Sequence, residues 1–500
     1  MNGRLLVLIL LIPLAAQAQL QLPGIFSDNM ILQRDNPVYI WGKAAPGEKV
    51  SVSFSNAAES TITAKDSCWC VKLPAQKANA HGQDLVVRAG NEKIALRNVL
   101  TGDIWLCIGQ SNMEFPMRNE VNFAREKEVS DQPMLRFYNP DYPGKNIYST
   151  LFTDSIADRL VPEKFYQGKW QTCDSITFKN MSAVAYYFGK AINERAGIPV
   201  GLINLSIGGA PLETFIGKEA LKKSRQFSAK INGDWLVNEA LPVWIRERGR
   251  QNVGELPIVK SDENGKNHGY KPGFAYTSGI EPLFHSRIKG VICYQGESNA
   301  QEMDRVSEYD ALSKLMVDNY REKWKDPRLP FYFVQLSSID TVKYKGQLWP
   351  DFRNEQRKML ESIDYSGMAV TSDIGFRDNV HPTNKKDVGE RLARWALNKT
   401  YGYQVIPCGP LPVKAIYKNG KVFITFDFMA KGLKTPDGST FKGFSMDGIR
   451  EVEAFSAADG IIIYSAKKPD FIYYGWKPFS DGNLVNSENL PASTFKIKVK

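Results

Sequence analysis

A doubly wound α/β domain flanked by two β domains is the fold class this sequence predicts, and three changes of texture predict it. From about residue 20 to 100, short runs alternate apolar and polar residues between turns: "PVYIWGKA", "KVSVSF", "STITAK", "CWCVKL", "DLVVRA" and "KIALRNV". Such alternation at regular turn spacing is the pattern of a small β-sandwich. After residue 100 the runs "DIWLCIG", "VGLINLSIG", "GVICYQG", "FYFVQLS" and "MAVTSDIG" are continuously apolar and alternate with helical stretches such as "SAVAYYFGKAINERAG" and "DVGERLARWALNKTYG". That order implies parallel strands with crossover helices. Past "QVIPCGPLP" the β texture returns in "KVFITFDF", "GIIIYSA" and "FIYYGW".

Taken in order, the chain divides into a leader (1–18), an N-terminal β domain (19–100), an α/β domain (101–405) and a C-terminal β domain (406–500). The leader follows from Arg4 ahead of the apolar run "LLVLILLIPLAA" and from Ala16-Gln17-Ala18, a small-x-small site of the kind cleaved after secretory signals. The run is short for a membrane span, no other segment is a better one, and no cysteine adjoins the cleavage site. Export to a periplasm or the medium, with no integral membrane segment in the mature chain, is therefore expected. Residues 231–275, rich in Asn, Gly and charge towards their end, look like a surface insertion.

Composition excludes more than it selects. With 43% hydrophobic and 24% charged residues, the 500-residue chain is ordinary globular material. Its net charge of +10, from 64 basic against 54 acidic residues, is spread along the chain, without a basic tract that would suggest nucleic acid. The six cysteines are compatible with an oxidising compartment, but their spacing does not demand a disulfide. Neither C-x-x-C nor H-E-x-x-H occurs, so a zinc site is not expected.

The chemistry centres on "IWLCIGQSNMEF", residues 104–115. A buried strand there ends on Gly109, and a serine at such a strand-to-helix turn has its hydroxyl raised above the rim of the sheet. The plain alternative is a serine that caps the next helix. A serine needs a base, itself oriented by a third group. Of four histidines, His81 and His268 lie in polar turn contexts that suggest solvated side chains, and His285 precedes a strand. His381 follows the last strand-like run, in "FRDNVHPTNKK". Asp378, three residues earlier, is placed to orient it, or else to close an Asx-turn; Asp373 is the competing carboxylate. Oxyanion donors are sought at two further strand ends. One is Gly208-Gly209 in "INLSIGGAPLETF", and the other is Gln295, followed by Glu297, in "CYQGESNA".

The blocks "GQSNMEFPM", "GGAPLETF", "KGVICYQGESNA" and "DNVHPTNKKDVGERLA" resemble those of the sialate O-acetylesterase family, a branch of the SGNH (GDSL-like) hydrolases. "PGIFSDNMILQRDNPVYIWGKAAPGEKV" and "NLPASTFKI" extend the resemblance to nearly the whole mature chain. Two features depart from the family's pattern: Cys293 stands where a Trp is usual, and "PLETF" replaces the more frequent Glu-Ala-Trp ending. The resemblance implies a flavodoxin-like parallel sheet, with Ser111 as nucleophile, His381 as general base and then acid, and Asp378 as orienter. It implies an oxyanion hole from the Ser111 N–H, Gly208 or Gly209, and Gln295. Gln110, Asn112, Glu297 and Asp373 are expected either to contact substrate or to support the groups that do. Phe115, Phe215, Tyr294 and Trp349 are candidates for stacking on a sugar ring or for the core.

The implied activity is cofactor-free hydrolysis of an acetyl ester on a sugar through an acetyl-enzyme, with O-acetylated sialic acids as substrate. The competing expectations are an esterase for acetylated xylan, pectin or another glycan, and a catalytically silent carbohydrate-binding protein.

Overall fold

The computed structural model describes residues 19–342 and 344–500, and the expected leader lies outside the described residues. Seven strands carry the site: β1 (Glu92–Gly109), β2 (Gln132–Tyr138), β3 (Trp170–Cys173), β4 (Val200–Asn204), β5 (Gly290–Tyr294), β6 (Phe331–Val334) and β7 (Ser366–Ala369). Their order in the sheet is β7-β6-β5-β1-β4-β2-β3. Every pairing is parallel except that of β2 with the edge strand β3. Counting β1, β4, β5, β6 and β7 from one to five gives the order 2-1-3-4-5, in which the winding direction reverses beside β1. Ligands of open α/β sheets bind outside the strand ends at such a reversal.

The apolar runs become these strands because they are buried on both faces, as parallel strands under crossover helices must be. Residues Val99–Ile108 are all buried, as are Gly290–Tyr294. Four helices flank the sheet: α1 (Ala183–Ala196), α2 (Tyr309–Trp324), α3 (Trp349–Ser362) and α4 (Lys386–Trp395). Helix α1 packs on α4 and α2 on α3. Right-handed crossovers put the two pairs on opposite faces. Ser182 opens α1 by accepting the Ala185 N–H, and Gly197 ends it in the left-handed conformation.

Strand β1 also belongs to the N-terminal β region. Its first half pairs antiparallel with Asn79–Ala89, its middle runs beside Ile31–Gln33, and its second half enters the central sheet. The boundary expected at residue 100 thus falls inside a strand, and one apolar core spans both sides of it. The C-terminal region has antiparallel sheets built on Leu411–Lys418, Lys421–Asp427 and Gly460–Tyr464, and on Phe471–Tyr474 and Phe495–Lys498, around a core of its own. Arg353 of α3, fully buried, clamps it to the centre by donating to the carbonyls of Gly475, Lys477 and Pro478.

Two surface expectations change. The segment 231–275 buries Trp235, Val253, His268 and Lys271 rather than lying over the sheet as polar loop. His268, expected to be solvated, is 4% exposed, stacks on Phe152 and accepts the Tyr270 N–H at Nδ1. Burial pulls its pKa down to about 3, so it stays neutral. Of the aromatic groups that enclose the ring, Phe152 and Trp235 come from distant segments and Tyr270 from its own. Cys107, Cys173, Cys293 and Cys408 are buried, Cys68 and Cys70 are exposed, and all six are free thiols.

Candidate active site

Strand β1 stops at Gly109 for a steric reason. Its φ is +132°, and a Cβ there would stand 2.0 Å from the carbonyl oxygen of Tyr294 in the neighbouring strand β5. The chain turns at once into a one-turn helix, Ser111–Glu114, whose N-cap is Gln110. Ser111, half-buried, faces a cavity of about 530 Å³ and lies 2.7 Å, Oγ to Nε2, from His381. Two residues 270 positions apart, each beyond a strand's C-terminal end, are thus brought into hydrogen-bond contact.

The imidazole is neutral at pH 7. Burial and the nearby Lys385 charge pull its pKa from 6.5 down to about 4. With Nε2 facing a hydroxyl it can accept a proton, the tautomer for that task carrying its hydrogen on Nδ1. Asp378 lies three residues earlier on the exposed side of the same loop. Asp373 is engaged elsewhere: both its oxygens accept from Arg391 of α4 at 2.7 Å, which ties the strand end to that helix.

The expected oxyanion donors separate. Gly208 N–H donates to Tyr142 Oη at 3.0 Å, so it is occupied. Gly209, with φ +75°, has its carbonyl fixed by Ser298 Oγ at 2.9 Å, and among the described residues neither its N–H nor that of Ser111 donates to a protein acceptor. Gln295 does not match its expectation. It is 1% exposed, its Nε2 donates to Asn299 Oδ1 at 2.8 Å and also lies 3.3 Å from Ala210 O and Gln110 Oε1, and its Oε1 accepts from Tyr309 at 2.6 Å. The side chain is a strut between strand ends because every polar atom has a protein partner.

Gln110, Asn112 and Glu297 are also buried, brace the site from behind and do not line the cavity. Gln110 Oε1 accepts the Ser298 N–H at 3.2 Å. Asn112 Nδ2 donates to Glu297 Oε1 and to the Val380 carbonyl. Burial pushes Glu297 up to about 7. Of the stacking candidates only Phe115 lines the cavity, whereas Phe215, Tyr294 and Trp349 belong to the core.

Two groups escaped the sequence reading. Lys385 is fully buried and donates to Asn112 Oδ1. Arg118, at the cavity wall, donates to Asn180 Oδ1 at 2.7 Å. The other charges lining the cavity are balanced, Lys145 by Glu114 at 2.8 Å and Asp141 by Arg159 at 3.2 Å. A lysine in a run of polar residues gives no signal of burial, and an arginine gives none of standing without a carboxylate.

The chain is similar to known carbohydrate esterases. A family model described as carbohydrate esterase, sialic acid-specific acetylesterase, matches residues 270–398, which include Gln295, Glu297, His381 and Lys385. The chain is 26% identical over 452 residues to the sialate O-acetylesterase of Mus musculus, covering 83% of this chain and 81% of that protein. It is 25% identical over 442 residues to that of Homo sapiens, covering 82% and 77%. Among solved structures, it is similar to a carbohydrate acetylesterase from Xanthomonas citri, with TM-score 0.78 and 27% identity over 96% of this chain and 99% of that one.

Proposed function

We propose, from the premise that the chain belongs to the sialate O-acetylesterase family, that it is an exported SGNH-type serine esterase removing acetyl groups from sugar hydroxyls, with O-acetylated sialic acids as substrates. The observation that carries this reading is the 2.7 Å contact between Ser111 and a neutral His381 at the edge of an open cavity. The apolar stretch and small-x-small site within residues 1–18 support export.

Ser111 Oγ attacks the acetyl carbonyl while its proton passes to His381 Nε2. Negative charge grows on the carbonyl oxygen, and the unoccupied N–H groups of Ser111 and Gly209 are the donors for it, in place of Gly208 and Gln295. The tetrahedral intermediate collapses as His381 returns the proton to the departing sugar oxygen. Water, deprotonated by His381, then attacks the acetyl-enzyme, releasing acetate and restoring Ser111. Asp378 is assigned to the orientation of His381 by its place in the loop.

The lining of the cavity supports the choice of a sialic acid over a neutral sugar such as xylose. Asn119 and Asn146 offer amides to hydroxyl groups, and among the described residues Arg118 is the lining cation that no carboxylate balances. A guanidinium in that setting suits the carboxylate of an acidic sugar. The test is acetate release from O-acetylated sialic acids, acetylated xylan and acetylated pectin by the wild type, Ser111→Ala and Arg118→Met. Release confined to sialic acids, abolished in Ser111→Ala and carrying a KM raised about tenfold in Arg118→Met, supports the reading. Release confined to xylan or pectin replaces the substrate, and release unaffected by Ser111→Ala removes the mechanism. The absence of release from every ester returns the protein to the carbohydrate-binding class.

A further inference from the structure

Lys385 occupies a costly position. It is 0% exposed at the cap of α4, four residues after His381, and burial pulls its pKa down to about 7. Burying an ammonium is penalised by several kcal/mol, and an apolar residue of the same size usually serves stability as well or better. The cost points to a task other than stability.

Its surroundings define that task. The ammonium donates to Asn112 Oδ1 and lies 4.7 Å from the centroid of Phe115 and 5.4 Å from that of Tyr294. The charges that face it are Glu297, Glu120 and the titratable ring of His381. Glu120 Oε1 also accepts the Lys385 backbone N–H at 3.3 Å. Asn112 is the residue after Ser111, and an ammonium can only be met by the oxygen of its amide. The NH2 end must then point the other way, where it donates to Glu297 and, at 2.9 Å, to the carbonyl of Val380, the residue before His381. Were the amide reversed, its oxygen would face the Val380 and Glu297 oxygens, and its NH2 would face an ammonium.

We propose that Lys385 is a positioning residue for the Ser111–His381 pair, an inference that rests on the esterase reading above. Its ammonium fixes the one orientation of Asn112 that bridges the serine turn to the histidine loop, and its charge adds to burial in disfavouring the protonated imidazole. Removing the charge while keeping the bulk, in Lys385→Met, loosens the bridge and relieves the electrostatic pressure on His381.

The test reads both consequences in the full chain. With only four histidines in the sequence, the titration of His381 is resolved by NMR on isotope-labelled histidine, the signal being assigned through its loss in His381→Ala. In Lys385→Met the His381 midpoint moves up by half a pH unit or more, and kcat for p-nitrophenyl acetate falls on the order of 10²-fold with KM little changed, as expected of a misplaced base. If Lys385→Met fails to fold, Lys385→Met/Glu297→Gln removes the ammonium together with one of the two carboxylates that face it and is expected to show the same shift and loss. An unmoved His381 midpoint overturns the proposal, as does an undiminished kcat. Failure of the esterase reading looks different: the wild type shows no Ser111-dependent turnover, while the shift of His381 in Lys385→Met is still observed.

Discussion

The turn that carries Ser111 and the loop that carries His381 meet at the Ser111–His381 hydrogen bond but are held by different forces. The serine turn is fixed by backbone: Gly109 fits against the Tyr294 carbonyl, Gln110 N–H donates to that same oxygen at 3.0 Å, and the strand behind is buried on both faces. The histidine loop is largely exposed from Phe376 to Asn379 and is held by side chains: Asn112 on Val380, Arg391 on Asp373, and Lys385 beneath. A nucleophile set by the sheet depends on shape. A base set by ionisable and amide groups depends on charge, so pH and mutation should act chiefly through the second side.

That contrast is testable at four depths. The largest effect is chemical: Ser111→Ala lowers kcat/KM for p-nitrophenyl acetate by on the order of 10⁴-fold or more, and His381→Ala by a similar factor, with the double variant no worse than either. Additive losses would show that the two do not act as a unit.

Asp378→Asn comes next, with kcat reduced about 10²-fold. That is smaller than the ~10⁴-fold typical of a buried orienting carboxylate, because Asp378 is exposed. The pH profile accompanies it. His381 accepts a proton only when neutral and its pKa is held near 4, so wild-type kcat/KM, with Lys385 charged, is flat from about pH 6 to 5 and falls as pH drops through 4. A limb centred at 6.5 would mean that the ring is not desolvated in solution. A fall within twofold for Asp378→Asn would remove that residue from the mechanism.

Gly109→Ala breaks the shape side. The new methyl strains a left-handed conformation and collides with Tyr294, and stability falls by about 1–3 kcal/mol in denaturant unfolding. Asp373→Asn sharpens the charge side and is the smallest change. Its bidentate pair with Arg391 is partly exposed, so the loss is about 0.5–1 kcal/mol and shrinks in high salt.

How much of this was legible in the sequence follows the same division. The strands ending at Gly109, Asn204 and Tyr294 could be read because parallel strands buried on both faces are written as unbroken apolar runs, and the serine turn could be read from the residues that end one of them. His381 stood out because histidines are few and one follows a strand end. The polar bracing could not be read. Gln295 looks like a free donor until Gln110, Ala210 and Tyr309 are brought around it from other segments to join Asn299 of its own loop, and Lys385 looks like any surface lysine. His268 was misread for the same reason, since two of the three rings that enclose it, Phe152 and Trp235, come from more than thirty positions away. Local pattern reports burial when a whole element is apolar and is silent when single polar groups are enclosed by the tertiary fold.

The passage of β1 from one sheet into another sets the schedule on which the molecule can assemble. Ile31 pairs with Leu100 and Ala89 with Glu92, so the first half of the strand finds its partners in chain already synthesised. The second half waits: Leu106 must pair with Ile203 and Val291, about 100 and 185 residues further on. Contacts of such long range form slowly, and an apolar strand without neighbours is prone to pair wrongly in the interval. The run Trp105–Ile108 is therefore the segment a holding chaperone would gain most by covering, and the nucleophile it presents can exist as a site only after strand β5 has been added on its other side.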